Sequence, residues 1–162
     1  MVDARTLHRA LLLAIVAGLA FSLYATFEVL DPALQHTCSI TGYFSCQAVD
    51  QSGFTHLGPV PDWSVGLGGF LLLLGLDLPL LATYDRRLLH AVVAVAAAGA
   101  AVAVGLAYVE LEIIRAFCPI CLGAYLSDAA VLLIAVALVR ARGRAAAEVA
   151  AAAAGRGSPG SG

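Results

Sequence analysis

The chain has 162 residues, 61% of them hydrophobic and 12% charged, with a net charge of −2 and a mean hydropathy of +0.92. That is too apolar for an ordinary soluble domain. The charges are sorted along the chain rather than averaged, so the net value says little, and nucleic acid is not an expected partner.

Four apolar runs are long enough to cross a bilayer, at 10–30, 65–83, 89–109 and 117–139. Each has about 19 to 23 residues, and about 20 residues of helix cross a ~30 Å hydrocarbon core. The first is too long for the apolar part of a cleaved signal peptide and has no clear small-residue cleavage site, so it reads as a retained anchor. Residues 31–64 form one long loop, broken by Pro32, Gly53, Gly58, Pro59 and Pro61. The loop carries Cys38, Cys46 and two histidines, His36 and His56, which read as solvated residues. Trp63, where the second run begins, reads as an interfacial anchor. Asp77 lies near the far end of that run, where snorkelling Arg86 or Arg87 is its expected partner. Residues 84–88 and 110–116 are short turns. Cys118-Pro119-Ile120-Cys121 opens the fourth run. Beyond Arg140 the sequence turns to Arg, Ala and Gly, so 141–162 reads as a linker-like tail, with 145–154 as a candidate short helix. The expected fold is all-α: a four-helix membrane bundle over 1–140 with a long loop between its first two helices.

Arginine placement orients this bundle. With four spans, the N-terminus, the 84–88 turn and the tail share one side. They hold Arg5, Arg9, Arg86, Arg87, Arg140, Arg142, Arg144 and Arg156, and the other side holds only Arg115. By the positive-inside rule both termini are cytoplasmic and the long loop is outside. The start of the fourth span is then outside too, which puts all four cysteines on the oxidising face.

Two thiols three residues apart at a helix N-terminus can form a redox-active disulfide, because unpaired N–H groups and the helix dipole favour thiolate there. Cys118, Cys121, Tyr125 and Asp128 follow at spacings of three, four and three, so they share one helix face. Tyr125 is suited to donating a hydrogen bond to a reducible carbonyl, or to anchoring at the interface. Asp128 reads as a proton source or as a hydrogen-bonded helix contact. The cysteines admit two other readings: a structural loop disulfide at Cys38–Cys46, and soft ligands for zinc or for a non-enzymatic tetraspan metal carrier. The one-sided placement of the cysteines favours redox chemistry, with no bound metal expected.

Four spans, the loop pair Cys38-x7-Cys46, and Cys118-Pro-Ile-Cys121 with Tyr125 four residues on together resemble the vitamin K epoxide reductase family, including its bacterial thiol–quinone oxidoreductases. The likeness covers about residues 8–140. It implies that electrons pass from a separate thioredoxin-like extracytoplasmic protein to Cys38/Cys46, then to Cys118/Cys121, then to a membrane quinone such as menaquinone or ubiquinone. It also implies exchange between Cys46 and Cys118, which leaves Cys121 facing the quinone. Ser52 looks like the family's loop serine. Asp62 stands where the vertebrate enzymes carry a quinone-contacting asparagine. With Tyr125, these two are the candidate quinone contacts. The residues around Tyr125 read Ala-Tyr-Leu rather than the vertebrate Thr-Tyr-Ala. This departure and Asp62 weigh against epoxide reduction and leave quinone reduction as the implied activity.

Overall fold

The structure is a computed structural model that describes residues 4–31, 33–34, 38, 43–50, 52, 56–57, 60–83 and 85–156. Four helices are long and apolar enough to cross a membrane: α1 (Ala4–Leu30), α3 (Asp62–Ala82), α4 (Arg86–Tyr108) and α5 (Pro119–Arg156). Between α1 and α3 lie a short helix, α2 (Cys46–Asp50), and a two-residue antiparallel pair, β1 (His56–Leu57) and β2 (Val60–Pro61). Leu57 pairs with Val60 and His56 with Pro61. Among the described residues the chain is an all-α tetraspan with one small hairpin in its long connection.

The long helices pack in a ring, α1 on α3 and α5, and α4 on the same two. Their outer faces carry Leu13, Leu72, Val104 and Leu133, all largely exposed. In a membrane these side chains meet lipid, so their exposure carries no cost. The two ends of the bundle differ. Away from the cysteines, Leu11, Ile15, Leu73, Leu80, Leu89, Val92, Val131 and Leu138 fill the interior. Phe70 caps this core because α1 has Gly18 opposite it; a Cβ there would run into the Phe70 ring. At the cysteine end the buried cluster is small: Cys38, Cys46, Val49, Ala116 and Cys118. The space between the two clusters is open.

Local chemistry sets the element ends. Asp85 caps α4 by accepting a hydrogen bond from the Arg87 N–H at 2.7 Å. Ser45 caps α2 in the same way, from the Ala48 N–H at 3.2 Å. α4 does not stop near residue 109. It runs on as a π-helical turn, Val109–Ile114, so most of the expected 110–116 turn is helical. Arg115, in the left-handed region at φ 55°, ends that turn. Leu111, Ile113 and Ile114 keep this stretch apolar enough to extend the helix.

At the other end α5 does not stop near Arg140. Its 38 residues span ~57 Å, well beyond a hydrocarbon core. Alanine is the strongest helix former, and a change from apolar to charged residues does not break a helix. The tail is therefore helical through Arg156, and the stretch 145–154 is part of this one helix.

Asp77 does not meet Arg86 or Arg87. It is fully buried, and its Oδ1 lies 3.0 Å from Nε2 of His8 on α1. The pair crosses the α1–α3 interface, where an unmatched carboxyl is costly. His8→Ala is expected to destabilise the bundle by about 3 kcal/mol, because it strands the Asp77 carboxyl. His8→Ala, Asp77→Leu should be more stable than His8→Ala alone. Thermal unfolding in one detergent, compared across the variants, checks both statements.

Candidate active site

The cysteine end is assembled by a backbone contact between distant segments. The Ser45 N–H donates to the Phe117 carbonyl at 3.1 Å, and the Phe117 N–H donates to the Tyr43 carbonyl at 2.7 Å. The Phe44 and Phe117 rings meet edge to face at 6.0 Å, and Tyr43 meets Phe44 the same way at 5.2 Å. This contact holds the residue before Cys46 against the residue before Cys118.

Cys38 and Cys46 form one disulfide, and Cys118 and Cys121 the other, with Cα–Cα distances of 5.7 and 5.2 Å. The two are in contact: Cys118 Sγ lies 3.3 Å from Cys46 Sγ. The sulfurs of Cys38, Cys46 and Cys118 all lie within 4.8 Å of one another. Cys38 and Cys46 are buried rather than exposed to solvent. Val49 and Ala116 pack beside them.

Cys118 caps α5. Its carbonyl accepts from the Leu122 N–H at 3.0 Å, and its sulfur accepts from the Cys121 N–H at 3.1 Å. Pro119 takes the first helical position, where its missing N–H costs nothing. The Cys118 sulfur therefore sits on the positive end of a helix, with one N–H already aimed at it.

Sequence reasoning missed Glu110. Its side chain, 3% exposed, spans two features of the site. Oε2 accepts from the Cys118 N–H at 3.2 Å, and Oε1 accepts from the Tyr125 hydroxyl at 2.8 Å. The π turn makes this possible: one extra residue per turn re-aims the side chains that follow, and such turns recur at functional sites. The available signal was an acidic residue at the edge of an apolar run, eight positions before Cys118. It fell within the expected 110–116 turn and was not singled out.

A cavity of ≈ 350 Å³ opens beside the sulfurs. Cys46, Cys118, Cys121, Tyr125 and Asp128 all line it, so the expected polar stripe on α5 faces one space. Most of its remaining wall is apolar, including Phe70, Leu73, Val95 and Val102. Trp63, read from sequence as an interfacial anchor, lines it too, as does buried Glu28. Ser52 is not among the lining residues; its hydroxyl donates to the Val49 carbonyl at 2.6 Å and ties off α2. Asp62 begins α3, but its side chain, that of His56, and all of His36 lie outside the described residues. His90 is exposed, with Nδ1 2.6 Å from the Arg86 carbonyl.

No curated protein matches the chain significantly. Residues 9–136, which take in all four cysteines and at least part of each span, match the profile described as the Vitamin K epoxide reductase family. With four apolar helices and two touching cysteine pairs, that match identifies an integral membrane protein that belongs to the vitamin K epoxide reductase family, a family of quinone-linked membrane oxidoreductases.

Proposed function

We propose that the protein is a thiol–quinone oxidoreductase that supports disulfide formation outside the cytoplasm. The 3.3 Å separation of Cys46 and Cys118 carries this reading, because it is contact distance for disulfide exchange between the two pairs. A dithiol of a separate thioredoxin-like protein attacks Cys38 and leaves with a new disulfide, so Cys38 and Cys46 become thiols. The Cys46 thiolate attacks Cys118. The Cys46–Cys118 bond forms, and the Cys118–Cys121 bond breaks. The Cys38 thiolate then attacks Cys46, restoring the loop disulfide and leaving Cys118 and Cys121 reduced. A membrane quinone supplies the acceptor for these two electrons. The apolar cavity fits such a ring, with Cys121 and Tyr125 on its wall. The helix end at Cys118 favours negative charge on that sulfur whenever it leaves as thiolate.

The sidedness of this chemistry follows from the arginines. Eight of nine belong to the end away from the cysteines. By the positive-inside rule this supports an orientation with both termini in the cytoplasm and the cysteines outside, and the membrane of this proposal is a bacterial inner membrane. A membrane-impermeant maleimide added to intact, reduced cells is expected to label the cysteines. Labelling that requires lysis contradicts this orientation.

The proposal is tested with protein reconstituted in quinone-containing vesicles. Wild type is expected to oxidise a reduced thioredoxin-fold dithiol protein. Cys46→Ser should lose that activity but keep oxidising a small dithiol through Cys118 and Cys121. A metal-carrier role predicts instead that a divalent ion binds the reduced cysteines tightly and that no variant alters dithiol oxidation.

A further inference from the structure

We propose that Asp128 binds and protonates the oxygen of a para-quinone that lies farther from Cys121. The proposal rests on the quinone reading of the cavity and adds what recognises the far end of the ring.

Asp128 is seven residues beyond Cys121 on α5, which is two turns, on the same face and ~10 Å deeper. It lines the same cavity and is 8% exposed. Its Oδ2 is fully buried and has no hydrogen-bond partner among the described residues. The neighbouring Ser127 hydroxyl is turned to the Gly123 carbonyl at 2.7 Å. The facing helix makes room for the carboxyl. A Cβ on Gly99 would lie 3.0 Å from Asp128 Oδ1 and 3.1 Å from Oδ2, tighter than ordinary contact. Leu73 and Val95, also on the wall, offer no hydrogen bond. Buried polar groups are nearly always paired, so a carboxyl facing an apolar cavity with an unmet oxygen points to a polar atom brought by a ligand.

A para-quinone has such an atom. Its two oxygens stand on opposite edges of the ring. With one edge at Cys121 and Tyr125, the other points down the cavity toward Asp128. The transfer balances without a further reactant. Cys118 and Cys121 give up two electrons and two protons and form their disulfide. The ring takes both electrons. One thiol proton goes to the outer oxygen, and Asp128 gives its own to the inner one. The carboxylate recovers the second thiol proton through water entering as the hydroquinone leaves.

An ortho-quinone carries both oxygens on one edge and makes no use of Asp128, which supplies the test. Oxidised protein would first bind 2-methyl-1,4-naphthoquinone carrying isotope label in its carbonyls. Infrared difference spectra should contain one carbonyl band lowered by hydrogen bonding that returns to its unshifted position in Asp128→Leu. Reduced protein would then be mixed anaerobically with this quinone or with 9,10-phenanthrenequinone. Asp128→Asn should lower kcat for the para-quinone roughly a hundredfold, with KM little changed, because an amide hydrogen-bonds but gives up no proton. The rate with the ortho-quinone should be unchanged, which also reports an intact fold. Equal losses with both quinones, or no loss with either, overturn the role of Asp128. Wild-type protein that reduces neither quinone overturns the quinone reading itself.

Discussion

Cys38→Ser is expected to accumulate a covalent Cys46–Cys118 link in the oxidised protein. The substitution removes the thiol that resolves this link and frees Cys46, whose sulfur lies 3.3 Å from Cys118. The backbone pairing of residues 43–45 with Phe117 holds the two segments that carry these sulfurs side by side. Turnover with a protein dithiol should fall to background. Peptide mass spectrometry before and after reduction identifies the link. The double variant Cys38→Ser, Cys118→Ser should lose it, which separates the specific exchange from adventitious oxidation. If Cys38→Ser yields Cys46–Cys121 instead, the order of attack is reversed.

The second large effect is expected at Glu110. One carboxylate accepts from both the Cys118 N–H and the Tyr125 hydroxyl, at 3.2 and 2.8 Å. Glu110→Leu removes both acceptors at once. It leaves a buried N–H unpaired beside the reactive sulfur and a tyrosine without its anchor. The quinone half-reaction should slow by roughly a hundredfold, within the range seen when one positioned polar group is lost. Glu110→Gln keeps one acceptor for the Cys118 N–H and can donate to the Tyr125 oxygen, so most activity should return. Tyr125→Phe should slow the quinone step by roughly tenfold to a hundredfold while exchange between the cysteine pairs stays near normal. The phenol has a single proton, which Glu110 holds in this structure. Donation to a quinone therefore requires that hydrogen bond to switch, and Glu110→Gln offers a way to release it. Stopped-flow measurement of each half-reaction separates these outcomes from a general loss of fold.

The sequence is most legible where one periodicity suffices. The four spans follow from hydropathy and length. The stripe from Cys118 to Asp128 follows from helical spacing, and its members do face one cavity. What depends on how helices rotate against one another is not legible. Asp77 meets His8, 69 residues away, rather than the nearer arginines, because the α1–α3 contact decides which way it points. Trp63 turns into the cavity for the same kind of reason. Glu110 was hidden by a change of period, since a π turn shifts every side chain after it and resembles a loop in a hydropathy scan. The pairing of residues 43–45 with Phe117 joins short segments that carry no pattern of their own. The tail misled in the opposite way: composition suggested a linker, but in an alanine-rich segment continuous with a long helix Gly143 alone does not stop the helix.

The relay from the loop pair through Cys118 and Cys121 to quinone is tested most directly by counting quinone consumed per protein. Purified protein is fully reduced, freed of reductant and titrated anaerobically with 2,3-dimethyl-1,4-naphthoquinone, whose ring has no open position for thiol addition, while free thiols are counted. Each quinone accepts the two electrons of one dithiol. Wild type should consume two equivalents and lose four thiols. Cys46→Ser should consume one, drawn from Cys118 and Cys121. Cys121→Ser should consume none, although Cys38 and Cys46 remain reduced. Quinone consumption by Cys121→Ser would contradict the account, because it would mean that electrons leave without passing through Cys121.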